Sequence, residues 1–198
     1  MKLLRLLRPE FKRYRVYVLD RQQTATAPAA KADLRVERVA ANNVNDICGF
    51  RGDSVATTFR RFLDEKNIGV YAYSAGAAVG HAWAAVWHGA DRLIWGYLPV
   101  NAQTACIYYC SVSVECRGRK FYQNMLAALA GIVFRETPAC RILIATATDN
   151  PSSYSAIERV GFRLLLVLPV LHWWGRAIRL ARIPPAPPAE PGDVPGRP

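Results

Sequence analysis

The chain has 198 residues, carries 26 Lys and Arg against 15 Asp and Glu for a net charge of +11, and is 52% apolar. Intrinsic disorder over most of the length is excluded, because disorder needs low hydrophobicity as well as high charge, and the length suits one core with short appendages. The excess is mostly arginine, 21 Arg to 5 Lys, which favours an anionic partner such as a phosphate, a nucleic acid or an acidic membrane without choosing among them.

Met1 to Arg8 is a leucine-rich stretch broken by Arg5 and Arg8, so it lacks the unbroken apolar run of a signal peptide. Tyr14, Val16 and Val18 alternate with Arg13, Arg15 and Tyr17, which predicts a strand added at a sheet edge. The soft segment Gln22 to Ala32 then separates a basic extension, residues 1–33, from a main domain over 34–183. Leu34 to Val39 reads as a strand and Asn43 to Phe50 as a short helix. Ser54 is placed to cap a helix carrying Val55, Phe59, Phe62 and Leu63, stopped by Asn67 and Gly69. Val70 to Tyr73 and Val79 to Trp87 form a hairpin across Ser74-Ala75-Gly76. Thr104 to Val114 is β-rich, Lys120 to Phe134 is helical, Ile142 to Ala145 is a buried strand, Pro151 to Val160 is a helix capped by Asn150, and Phe162 to Leu168 is a strand. Leu164 to Leu171 is too short to span a bilayer. Pro184 to Pro198, with seven prolines, is expected as a disordered or polyproline-like tail. The class is α/β with a mixed sheet, and the Thr104–Ala145 crossover puts a loop at the carboxyl end of a strand, the usual ligand edge. Five cysteines without a C-x-x-C pair, and three His, predict reduced thiols and no metal site.

Val112 to Leu126, VSVECRGRKFYQNML, is a strand, a basic turn and a helix start. Free amides at a helix N-terminus, the dipole and two arginines make a pyrophosphate site without any special side chain. An ordinary turn with solvated arginines is the plain alternative. Ile142 to Phe162, ILIATATDNPSSYSAIERVGF, places an Asn between a strand and a helix that closes at Gly161-Phe162. With Val79-Gly80-His81-Ala82-Trp83 as a third strand, these segments resemble the GCN5-related N-acetyltransferase (GNAT) superfamily over about Leu34 to Leu168.

The resemblance implies a mostly antiparallel sheet of about six or seven strands, flanked by helices, with a splayed parallel pair at an acetyl-CoA site. It implies that Val112, Ser113 and Val114 offer backbone groups to the pantetheine arm. In the phosphate turn, Arg117 takes the first position, followed by Gly118, and the amides of Arg119, Lys120, Phe121, Tyr122 and Gln123 face the pyrophosphate. Asn150 and Ser153 approach from the neighbouring strand and helix. Lys120 and Tyr122 stand where the family has small residues, and a helix already begun at Lys120 would spare both a positive φ. The family's Tyr, seven residues after the Asn, is here Ile157, and its Glu, five before, is Ala145. Tyr154, one turn earlier, reaches the same side or simply packs. His81 is a candidate base or a core histidine, and Glu115 a base or a neutraliser of Arg117 and Arg119. Tyr108, Tyr109 and Ser111 are further polar candidates, and Trp83, Trp87, Trp95 and Tyr97 are core, rim or acceptor-pocket aromatics.

The implied activity is acetyl transfer from acetyl-CoA to a primary amine, small or lipid-linked, by direct attack in a ternary complex. A non-catalytic acyl-CoA-binding regulator on the same fold is the competing class, and a nucleic-acid binder rests on charge alone. A cytoplasmic location is expected. Basic residues sit among apolar ones at both termini, including Arg176, Arg179 and Arg182 beside Trp173, Trp174 and Ile178, and suit peripheral contact with anionic lipid or solvated packing over the sheet. A homodimer stays open.

Overall fold

The computed structural model describes residues 9–23, 25–29 and 34–186. The basic segment at 1–8, and 187–198 of the expected proline-rich tail, lie outside them. Among the described residues, eight strands form one sheet in the order β10-β9-β1-β8-β7-β4-β3-β2, one more than the upper expectation. They are β1 (Glu10–Asp20), β2 (Arg35–Arg38), β3 (Ile68–Ser74), β4 (Ala77–Ala85), β7 (Thr104–Val112), β8 (Arg141–Ala147), β9 (Arg163–Trp173) and β10 (Arg176–Arg179); β5 (Arg92–Ile94) and β6 (Leu98–Val100) form a separate ribbon. Every pairing in the large sheet is antiparallel except β7 with β8.

Helices cover both faces. On one, α3 (Phe121–Glu136) and α4 (Pro151–Arg159) bury Phe121, Met125, Leu129 and Ile157 against Val70, Ala82 and Ile107. On the other, a 3-10 turn at Val44–Ile47, α1 (Cys48–Arg51), α2 (Asp53–Asp64) and the β5–β6 ribbon bury Ile47, Phe59, Phe62 and Leu98 around Trp83. α2 starts one residue before the expected cap: Gly52, at φ 81, occupies the capping position, and Ser54 lies inside the helix. Asp53 in the first turn complements the helix dipole.

β1 is not an edge strand. It lies between β8 and β9, pairing Tyr14 with Ala147 on one side and with Leu168 on the other. Val16, Tyr17, Val18 and Leu19 are all almost fully buried, as a continuous apolar run covered on both faces should be. Just after β1, the Arg21 guanidinium donates to the carbonyls of Phe134, Thr137 and Ala139, satisfying the C-terminal end of α3. β1, which precedes Leu34, is therefore part of the core. At the other end, Pro184 accepts from Arg141 Nη2 at 2.7 Å. Trp173 and Trp174 are exposed on the β9–β10 hairpin, and among the described residues no helix is long and apolar enough to cross a membrane.

Gly69 on β3 faces Trp83 on β4, and a Cβ there would come within 2.8 Å of the indole ring. Overpacking of this kind costs roughly 1–3 kcal/mol. G69A is expected to lower the thermal unfolding midpoint by several degrees while keeping the far-ultraviolet circular dichroism spectrum.

Candidate functional site

The parallel pair β7–β8 runs together only from Thr104 opposite Arg141 to Ile107 opposite Ile144. Both strands continue beyond, β7 to Val112 and β8 to Ala147, without pairing to each other. The cause lies in β7: Tyr109 adopts φ 50, and the register with β4 shifts between His81 and Trp83. This bulge bends β7 away from β8 and leaves backbone groups on its β8 side open to a ligand.

A cleft of about 710 Å³ fills the opening on the α3–α4 side. Cys110, Ser111 and Val112 line it from β7, Cys116, Arg117 and Gly118 from the turn, Lys120, Phe121, Tyr122 and Gln123 from the start of α3, and Asn150, Ser152 and Ser153 from the start of α4. Ser155, Ala156 and Arg159 complete it. Arg117, Lys120 and Arg159 make it cationic, with no Asp or Glu in its lining among the described residues. Asn150 Oδ1 caps α4 by accepting from Ser153 N at 3.2 Å.

Several expected residues sit elsewhere. β7 ends at Val112, and Val114, exposed, begins a 3-10 turn, so Ser113 and Val114 are not extended strand and do not line the cleft. Arg119 is exposed outside it. Lys120 is the residue before α3, at φ 67 in the left-handed region, and not a helical residue; the tight turn demands this, which accounts for a small residue there in the pattern the chain resembles. The Tyr122 phenol contacts Cys110 and Ser153 across the cleft; burial above all raises its pKa, so it stays a proton donor. Glu115 is exposed and, among the described residues, in no ion pair with Arg117 or Arg119.

Tyr154 stands outside the cleft, packed against the core with the Arg15 guanidinium 4.3 Å from its ring centre, while Ile157 is fully buried. His81 is 1% exposed, on the opposite sheet face between Phe50, Phe59 and Tyr109. Its Nδ1 lies 2.9 Å from the Tyr109 carbonyl and must donate to it, leaving Nε2 without a partner. This bond holds the carbonyl of the bulge residue itself. Sequence reasoning missed Cys110, Ser152 and Arg159; the helical spacing from Ser152 to Ser155, Ala156 and Arg159 was the signal for the α4 wall.

A second cleft, of about 590 Å³, lies on the α2 side. Ala145, Thr146 and Ala147 of β8 form its floor, with Tyr14 of β1, Trp95 and Tyr97 of the ribbon, and His172, Gly175 and Ala177 of the β9–β10 hairpin around it. Of the candidate aromatics, Trp95 and Tyr97 are at this cleft, while Trp83 is core.

Burial lowers the His81 pKa from 6.5 to about 4. Between these values the unfolded chain holds a proton that the folded one does not, so the stabilisation is complete above pH 6.5 and is lost as pH falls towards 4. The loss is on the order of 3 kcal/mol. Thermal midpoints measured across this range are expected to fall on acidification, with a shallower slope in H81Q.

No family model matches the chain, and no curated protein matches it. Solved structures match in fold. A tandem GNAT protein from the clavulanic acid biosynthesis pathway is 16% identical with a TM-score of 0.57, covering 78% of this chain and 51% of that one. A GCN5-related N-acetyltransferase from Kribbella flavida is 12% identical with a TM-score of 0.56, covering 80% and 57%. AAC(6')-Iy, in complex with the bisubstrate analogue CoA-S-monomethyl-acetylneamine, is 15% identical with a TM-score of 0.53, covering 66% and 90%. The chain spans little more than half the length of the first two. Its fold is that of the GCN5-related N-acetyltransferases.

Proposed function

We propose that the protein is an acyl-CoA-dependent N-acyltransferase, using acetyl-CoA to acylate a primary amine. The observation that carries this reading is the opening of β7 from β8 directly above a cationic helix N-terminus. In the proposed complex, Arg117, Lys120 and Arg159, with the first amides of α3, hold the phosphates. Open β7 backbone groups at Cys110 to Val112 hold the pantetheine arm as an added strand. Acetyl-CoA supplies an activated thioester carbonyl; the protein supplies proximity, amide donors for the carbonyl oxygen, and the Tyr122 phenol as a hydrogen-bond donor at the opening. Asn150 and Ser153 order the α4 wall.

Isothermal titration of the whole chain with acetyl-CoA tests the reading. Binding is expected, weakened about five- to twentyfold by R117A or R159A, with salt weakening it further. Release of free CoA thiol across an amine panel should follow. Binding without release from any amine would favour the non-catalytic regulator, and no binding would remove both.

We also propose peripheral contact of the β9–β10 end with anionic lipid, supported by exposed Trp173 and Trp174 beside Arg176 and Arg179. Sedimentation with phosphatidylserine vesicles is expected to pull down the chain and to weaken severalfold in W173S/W174S; unchanged sedimentation with and without vesicles would remove the proposal.

A further inference from the structure

We propose that the second cleft takes the acceptor, a primary amine carried on a flat aromatic skeleton, and that Tyr14 and His172 remove its proton. The inference rests on the acyl-transfer reading and names its substrate class. The cleft floor, Ala145 to Ala147, is the part of β8 just beyond its last pair with β7, and the first cleft is lined by Cys110 to Val112 of β7 beyond the same pair, so each cleft borders one rim of the gap. An acceptor here is therefore placed across the gap from the proposed thioester.

The walls specify the skeleton. The rings of Tyr14 and Tyr97 stack at 5.0 Å, and Trp95, 46% exposed, lies 6.1 Å from Tyr97. Among the described residues no Asp, Glu, Lys or Arg lines the cleft, so a polycation finds no counter-charge there, whereas a flat ring finds a stacking surface. Tyr14 Oη lies 3.1 Å from His172 Nε2 and also contacts the Tyr97 hydroxyl. With Nε2 unprotonated, Tyr14 donates to it, and the phenol oxygen accepts from the amine. As the nitrogen bonds to the acyl carbon, its proton passes to Tyr14 Oη while the Tyr14 proton passes to His172 Nε2. The carbon–sulfur bond breaks, the thiolate accepts a hydrogen bond from the Tyr122 phenol and takes its proton from water, and His172 returns its proton to solvent. Tyr14 and His172 both lie outside the span from Leu34 to Leu168 that carries the family likeness.

The whole chain is titrated with 2-phenylethylamine and with spermidine, and thiol release is measured with both. The aromatic amine is expected to bind, to bind at least tenfold more weakly to W95N, whose Asn tolerates the positive φ of this turn position, and to give at least tenfold higher kcat/KM than spermidine. Y14F should lower kcat about ten- to hundredfold and H172Q about tenfold, each with acetyl-CoA affinity within twofold. Equal or better use of spermidine, aromatic-amine affinity unchanged in W95N, or kcat unchanged in Y14F and H172Q would overturn the proposal. Failure of acetyl-CoA to bind sinks the acyl-transfer reading instead, and the amine titration with W95N then decides the cleft alone.

Discussion

One residue in β7 takes a left-handed backbone conformation, and the gap that both clefts border depends on it. At Tyr109 the strand gains an extra residue against β4, bends, and loses β8 after four pairs. A non-glycine residue in this region costs on the order of 1 kcal/mol, which the surroundings must offset. They do so with the His81 bond to the Tyr109 carbonyl and with ring contacts from Phe59 and Phe62 to Tyr109. A histidine that looks like a general base in the sequence instead holds the backbone open from the far side of the sheet.

The opening divides the chemistry of the molecule by face. Arg117, Lys120 and Arg159 converge on the α3–α4 side, where helix dipoles already favour an anion. Among the described residues the cleft on the α2 side is lined by aromatic and small residues without formal charge. The net charge of +11 therefore says little about what that cleft accepts.

The elements legible in the sequence are those whose local signals agree with their final environment. The β3–β4 turn was readable because Ala75-Gly76 follows a strand signature and uses φ 49 and 82. Two other hairpins turn at Trp95-Gly96 and Trp174-Gly175 with similar angles, but tryptophan is not a residue that marks a turn, and β5, β6 and β10 were missed with them. β1 was recognised as a strand but placed at an edge, because alternation at Tyr14 to Val18 outweighed the unbroken apolar run to Leu19. The residues of the basic turn, Arg117 to Gln123, were legible through the family resemblance of the strand, turn and helix start around them. The Tyr14–His172 pair was not, since its members are 158 residues apart and meet only through sheet order.

The interior position of β1 also has a consequence for how the chain folds. β1 is made first among the described strands, yet its partners, Arg141–Ala147 and Arg163–Trp173, follow only after β7. Until then both edges of an apolar strand remain unpaired and open to another chain. Sheet closure must bring together Tyr14 and Leu168, a contact of long sequence separation that slows folding. The same strand that completes the second cleft therefore makes the nascent protein dependent on late pairing, and on whatever shields β1 while the rest is synthesised.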